Sequence, residues 1–355
     1  EAAHWIRKAE TAQNVEDLAD DEGFWFTVNV LKKEFDLKVR AVLGPEAKDD
    51  TDITILNRQM RFRRDVKPQR IELEGDPRHS EIIIQQLSLA GCKGVDTPGV
   101  KHKAEEIIDA SVNSPPLTSE KATAYRSVTM RAQYYSQDRP DICYASKECA
   151  RHMQEPNEYN LSSLKRLGRY LVRYPRLVQW FPEQDDPKHF HVKGDTDHAG
   201  CVLTRKSTSG LACMYGRHCI KHHSGTQNDL ALSSGESEFS GVVKSASCGL
   251  GLKAMATDLN AESDLTIGSD SSAALAMTKR RGLGKVRHIS LRYLWVQKKL
   301  VDEVFDLEQL KSASNVGDLF TKHLAAKVIQ QHLRALNYHY VEGRSSNAPK
   351  LLKRA

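Results

Sequence analysis

Four carboxylates in the second half of the chain stand where they could do chemistry. Asp195 ends an apolar-alternating run and opens GDTDHAG, and Glu238 lies in SSGESEFSG at the head of a long apolar-periodic stretch. Asp270 follows the strand-like LTIGSD, and Asp318 starts the helix-like DLFTKHL. Acids on a strand end, a helix, a second strand end and a helix start meet only through tertiary structure. Their neighbourhoods offer no matching cluster of Arg or Lys, so divalent cations are the expected means of holding them together. Hard cations such as Mg²⁺ take oxygen ligands, and paired Mg²⁺ ions serve phosphoryl chemistry. This is the arrangement a nuclease needs.

Each acid also has a plainer use. Asp195 and Asp197 are two apart in a β context and face the same side, so they are two ligands or one ligand and one surface acid. Glu236 and Glu238 are two apart on a helix and point to different faces, so only one looks into the site. Glu238 is the expected one, because Val242 and Ala246 continue its face toward the core. Asp270 sits where the carboxyl edge of a sheet would bind a ligand, or it caps the helix that begins at Ser271. Asp318 has the same capping alternative. His218, His222 and His223 are close in sequence, but neighbours in a hairpin point to opposite faces, so no zinc site is expected there. Seven cysteines, at 92, 143, 149, 201, 213, 219 and 248, include no C-x-x-C, which excludes a zinc knuckle or a thioredoxin motif. They read as reduced, buried thiols of an intracellular protein.

The elements that must carry these residues follow from the patterning. The 355 residues are 39% apolar and 28% charged, a soluble globular composition long enough for two domains. No run reaches the apolar length of a bilayer span, and EAAHWIRKAETAQ has no secretory pattern. A start at Glu1 suggests a piece of a longer polyprotein. The charge of +6 permits a polyanionic partner, and the basic residues crowd residues 165–176, 204–210 and 278–288 around the acids, which favours nucleic acid. Residues 22–35 have helical spacing, 53–65 alternate as a strand, a turn precedes a paired strand at RIELEGD, and 79–90 are helical. Residues 93–120 read as a surface linker. Three helices are expected between Ser119 and Tyr174, divided by Pro140 and Pro156. A hairpin turning at Gly216-Arg217 follows, then a helix over 233–259, a strand over 264–269, a helix over 271–279, one through HISLRYLWVQKKLV, a strand around EVFDLEQL and a closing helix. Strands first, then alternating helix and strand, predict a mixed sheet with helices on its faces.

At this point the motifs carry a resemblance. GDTDHAGCVLTRKSTSG, ALSSGESEF, GSDSSAALAM, KVRHISLRYLWVQ and NVGDLFTKHL are similar, in that order, to the signature blocks of the RNase H domain of copia-type LTR retrotransposon Pol polyproteins. Upstream, YRSVTMRAQYYSQDRPDICYASKECARHM and LKRLGRYL resemble the segment connecting reverse transcriptase to RNase H, and FDLKVRAVLGPE resembles the tail of the polymerase palm and thumb. The resemblance implies an α/β fold, an RNase H-like mixed five-stranded sheet with flanking helices over 181–340. A helical connection over 121–180, a partial palm/thumb-like α+β region over 1–120 and a basic tail over 341–355 would complete it. It makes Asp195, Glu238, Asp270 and Asp318 the catalytic, metal-binding acids for two Mg²⁺ ions, with Mn²⁺ able to substitute. The substrate would be an RNA–DNA hybrid cut in its RNA strand, the setting an intracellular Pol polyprotein in cytoplasm, virus-like particle or nucleus. Phosphate grip would come from Arg205, Lys206, Ser207 and Thr208, or from Arg280, Lys285 and Arg287. His288 would orient a phosphate or aid product release, unless it is a surface or capping residue. Position 198 departs from the pattern, with His where the family usually has Trp. The polymerase's paired aspartates could correspond only to Glu16 and Asp17, so polymerase activity is not expected of this chain alone. A catalytically inactive, nucleic-acid-binding remnant is the alternative; an integrase would need its Glu last in the acid order.

Overall fold

A computed structural model describes residues 29–345, except 31, 37, 186, 260 and 285, together with Ala348. Of the expected helix at 22–35, residues 29, 30 and 32–34 are helical, Phe35 lies in a bend, and the rest lies outside the described residues, as do Glu16 and Asp17. The stretch expected as one strand over 53–65 is a hairpin. β1 (Asp52–Ile55) and β2 (Arg58–Arg63) pair antiparallel around Leu56 and Asn57, whose φ of 50° and 65° put both corner residues in the left-handed region. That is the conformation a two-residue hairpin loop demands, and alternation alone does not reveal it. β3 (Arg70–Glu74) follows the expected turn, and α1 (Arg78–Gln86) the expected helical stretch.

The stretch expected as a linker holds a helix, α2 (Ala104–Asn113). Its prolines and serines lie at the ends of the 93–120 stretch, and AEEIIDA between them has strong helix formers with acids in the first turn. α3 (Ser119–Tyr135), α4 (Pro140–Ala150) and α5 (Glu158–Arg173) come where expected, with Thr118 and Asn157 as N-caps and Pro140 at the first helical turn. They pack with α1 around Ile83, Tyr125, Val128, Ile142, Leu164, Leu167 and Leu171. Inside this bundle Arg139 is fully buried, bound to Asp141 at 2.7 Å and donating to the carbonyls of Tyr174 and Pro175.

β4 (Arg176–Pro182) leads out of the bundle and joins the first sheet, whose order is β1-β2-β3-β4-β10. The last strand, β10 (Tyr338–Val341), returns from the far end of the sequence to pair antiparallel with β4. This sheet therefore draws strands from both sides of residues 120 and 180.

The second sheet carries the acids. It consists of β5 (His189–Asp197), β6 (Thr208–Tyr215), β7 (His218–Thr226), β8 (Asp264–Ser269) and β9 (Asp306–Gln309), in the order β7-β6-β5-β8-β9. β5, β6 and β7 run antiparallel, and β5, β8 and β9 run parallel. The hairpin turns at Gly216 and Arg217 as expected. The long α6 (Ser234–Asp258), capped by Ser233, crosses one face and packs Phe239, Val242 and Ala246 against Val192, Leu211 and Ile267. Close approach is set by small residues: a Cβ on Gly241 would meet Thr196 Oγ1 at 2.4 Å, and one on Gly194 would meet Ser245 Oγ at 2.7 Å. α7 (Ser272–Lys279) and α8 (Trp295–Val301) follow; α8 is preceded by a 3-10 turn at Leu291–Tyr293 rather than starting at His288. α9 (Ala326–Ala335) leads into β10. This is the mixed five-stranded sheet with flanking helices of an RNase H-like fold. A third core cluster joins it to the rest, with Cys143 of α4, Leu177 of β4, Ala212 and Met214 of β6, and Leu319, Phe320, Leu333 and Tyr338.

Candidate metal centre

Three of the four acids converge. Asp195 lies near the end of the central strand β5 and is 5% exposed. Glu238 is in the first turns of α6, and Asp270 directly follows β8. One oxygen from each carboxylate lies within 4.8 Å of the other two. The parallel arrangement of β5 and β8 brings Asp195 and Asp270 to the same carboxyl edge of the sheet. Asp270 is not the cap of α7; that role falls to Ser271, whose Oγ accepts from Ala274 N at 3.2 Å.

The two glutamates of α6 part as their spacing requires. Glu236 accepts from Leu232 N at 2.8 Å and lies 2.9 Å from His288 Nε2, away from the trio. Asp197 also stays outside it, tucked against Gly200, where a Cβ would come within 1.8 Å of its Oδ2.

Asp318 sits inside a 3-10 turn, Val316–Phe320, and not at a helix start; the next helix begins at Ala326. The turn is capped by Asn315, which accepts from Gly317 N at 3.0 Å and donates to Gly194 O at 2.9 Å. That second bond ties the turn to β5 beside Asp195. Asp318 Oδ1 is 2.7 Å from Lys322 Nζ, and the same ammonium is 3.6 Å from Asp195 Oδ2. The acids thus have one lysine among them, short of the matching cluster of Arg or Lys whose absence was expected. Lys322 was legible only as the i+4 partner of Asp318, a spacing that brings side chains together on a helical turn. Thr321, fully buried, also donates to Asp195 Oδ2.

The electrostatics follow from this crowding. Burial, with Asp195 and Asp270 adding repulsion, pushes the Glu238 carboxyl up to about 8. Burial raises the pKa of Asp195 too, with Lys322 and Thr321 opposing and Asp318 adding to the rise. Burial likewise raises Asp197. Carboxylates held together against desolvation and mutual repulsion are the state that a divalent cation relieves, and an all-oxygen donor set suits a hard one. The residues fit such an ion.

The basic candidates divide by burial. Arg205 is exposed and Lys206 half-buried, on the loop before β6. Ser207 and Thr208 are buried: Ser207 Oγ accepts from Ala199 N at 3.0 Å and Thr208 Oγ1 from Lys147 Nζ at 2.9 Å. Both hold the fold of the loop, and their burial keeps them from a phosphate. Arg280 folds back onto the Leu283 carbonyl at 2.6 Å. Arg287 is exposed, His288 is exposed but paired with Glu236, and Lys285 lies outside the described residues. His222 bonds the Ser136 carbonyl at 2.9 Å and stacks on Phe320, whereas burial, with nearby lysines, lowers His223 to about 4. Among the described residues, the acidic trio is the cluster that could hold a metal ion.

Fold and site together define an RNase H-like α/β unit with a convergent acidic centre. The chain is 27% identical over 213 residues to the retrovirus-related Pol polyprotein from transposon RE1 of Arabidopsis thaliana, covering 59% of this chain and 14% of that one. It is 25% identical over 255 residues to the Pol polyprotein from transposon TNT 1-94 of Nicotiana tabacum, covering 69% and 18%. An uncharacterized mitochondrial protein of Arabidopsis thaliana is 27% identical over 171 residues, 48% of this chain and 67% of its own length. The foamy viral protease-reverse transcriptase solved in complex with dsDNA aligns with 74% of the chain and 46% of its own, at 11% identity and a TM-score of 0.45. No protein-family model matches. The first two are copia-type, retrovirus-related Pol polyproteins of plant transposons, and the chain matches only a minor part of their length.

Proposed function

We propose that this chain hydrolyses the RNA strand of RNA–DNA hybrids as part of a retrotransposon Pol polyprotein, with Asp195, Glu238, Asp270 and Asp318 as its acidic centre. The observation that carries the reading is the meeting of Asp195, Glu238 and Asp270 within 4.8 Å at the carboxyl edge of an RNase H-like sheet. Two Mg²⁺ ions bound there would supply an activated water and neutralise charge at the scissile phosphate. The protein's own part is placement. β5 fixes Asp195 from a central strand, Thr321 holds one of its oxygens, and the capped α6 presents Glu238 from a rigid helix. The Asn315-capped turn keeps Asp318 beside Asp195. Exposed Arg205, Arg287 and half-buried Lys206 would grip phosphates, which positions a substrate without reading its sequence. Choice of the RNA strand would rest on its 2′-hydroxyls in the shallow minor groove.

The test is a hybrid labelled separately on each strand, incubated with Mg²⁺, with Mn²⁺ and with EDTA. Metal-dependent cutting confined to the RNA strand is expected. Tight hybrid binding with no cutting under any metal would refute the nuclease and leave a nucleic-acid-binding subunit.

A further inference from the structure

The acidic centre contains a cation of its own. Lys322 Nζ lies 2.7 Å from Asp318 Oδ1 and 3.6 Å from Asp195 Oδ2. Its charge also bears on Glu238 and Asp197, easing both carboxyls toward ionisation against burial. One ammonium therefore serves the acids of β5, α6 and the Val316–Phe320 turn together. Unlike its neighbour Thr321, which is fully buried, the Lys322 side chain is 40% exposed. A lysine on a flexible four-carbon stem with its head near water has a route out.

Asp195, one of the two carboxylates it pairs with, belongs to the trio that could hold a divalent cation. Asp195 Oδ2 accepts from Thr321, and the ammonium lies 3.6 Å from the same atom, a charge pairing rather than a hydrogen bond. An ammonium and a dication a few ångströms apart also repel one another directly. Both cannot sit on Asp195 and Asp318 at full strength.

We propose that Lys322 is a tethered counter-ion of the metal-free site, holding Asp195 and Asp318 together until a divalent cation displaces it toward solvent. This rests on the metal reading of the acidic centre. Because the ion pairs belong to the metal-free protein alone, removing the ammonium destabilises that state and by linkage strengthens metal binding. The lysine lowers the affinity of the site and spares the fold from unbalanced carboxylates before metal arrives.

The test uses the full chain with Lys322→Gln, Lys322→Met as a second neutral variant, and Lys322→Arg to keep the charge. In EDTA the two neutral variants should melt roughly 1–2 °C below wild type, and the Arg variant close to it. Calorimetric titration with Mn²⁺ alone should show the neutral variants binding roughly five- to tenfold tighter than wild type. Equal or weaker Mn²⁺ affinity in the neutral variants, with wild type binding intact, overturns the displacement. Unchanged melting in EDTA overturns the counter-ion role. A wild type that takes up no Mn²⁺ brings down the metal reading itself, a result distinct from either.

Discussion

Glu238 is the residue on which burial and charge act most plainly. Its folded pKa of about 8 lies above the ordinary value of 4.5. Between those limits the folded, metal-free protein keeps a proton that the unfolded chain has released, so stability falls as pH rises, by up to about 1.4 kcal/mol per pH unit. Glu238→Gln cannot titrate. Denaturant melts in EDTA at pH 5.5 and pH 8 should therefore show a smaller loss in the variant than in wild type; equal losses would mean Glu238 is not held in that environment. The choice of Glu238 over Glu236 was legible because i and i+2 diverge on a helix and Val242 marks the buried face. The pairing of Lys322 with Asp195 was not, because the two are remote in sequence. Ser207 and Thr208 illustrate the converse: hydroxyls in a basic segment read as phosphate ligands until burial shows them bound to Ala199 and Lys147.

At the scale of elements, the helices between 119 and 174 were readable because caps and prolines divide them. The β1–β2 corner was not, since Leu56 and Asn57 carry no glycine to announce a left-handed turn. The turn around Asp318 was misread as a helix start because its cap, Asn315, draws its second bond from Gly194 on another element. The helical bundle has its own point of fragility. Arg139 and Asp141 are both fully buried, and Tyr170 donates to Asp141 at 2.9 Å. Arg139→Ala would strand the aspartate's charge in the core and should cost about 3–5 kcal/mol, read as a lowered denaturation midpoint. A loss below about 1 kcal/mol, the range of an exposed ion pair, would contradict the buried clamp.

For the whole molecule, the α/β class and the order of the acid-bearing blocks were legible, but the joining of the two halves was not. β10 lies beside β4, and Cys143 and Leu177 share a core with Met214 and Phe320. Pairings across such separations leave no local periodicity. A fragment of residues 181–340 severs β4 and removes Cys143 and Leu177, so it should unfold at lower denaturant than the full chain; an equal midpoint would show that the second sheet stands alone. Neutralising Arg205 and Lys206 together should weaken hybrid binding and reduce its salt slope, by roughly 0.7–0.9 for each phosphate that the variant leaves unneutralised. An unchanged slope would place the hybrid elsewhere.

The central claim is that the trio cuts RNA with the help of a divalent metal. The most direct measurement compares wild type with Asp270→Asn on one RNA–DNA hybrid in Mg²⁺, with binding followed in parallel. Loss of a metal ligand should cost at least the roughly 10- to 100-fold that even a ligand's supporting hydrogen bonds are worth, while binding is kept or tightened. An Asp270→Asn protein that cuts at the wild-type rate would contradict the account.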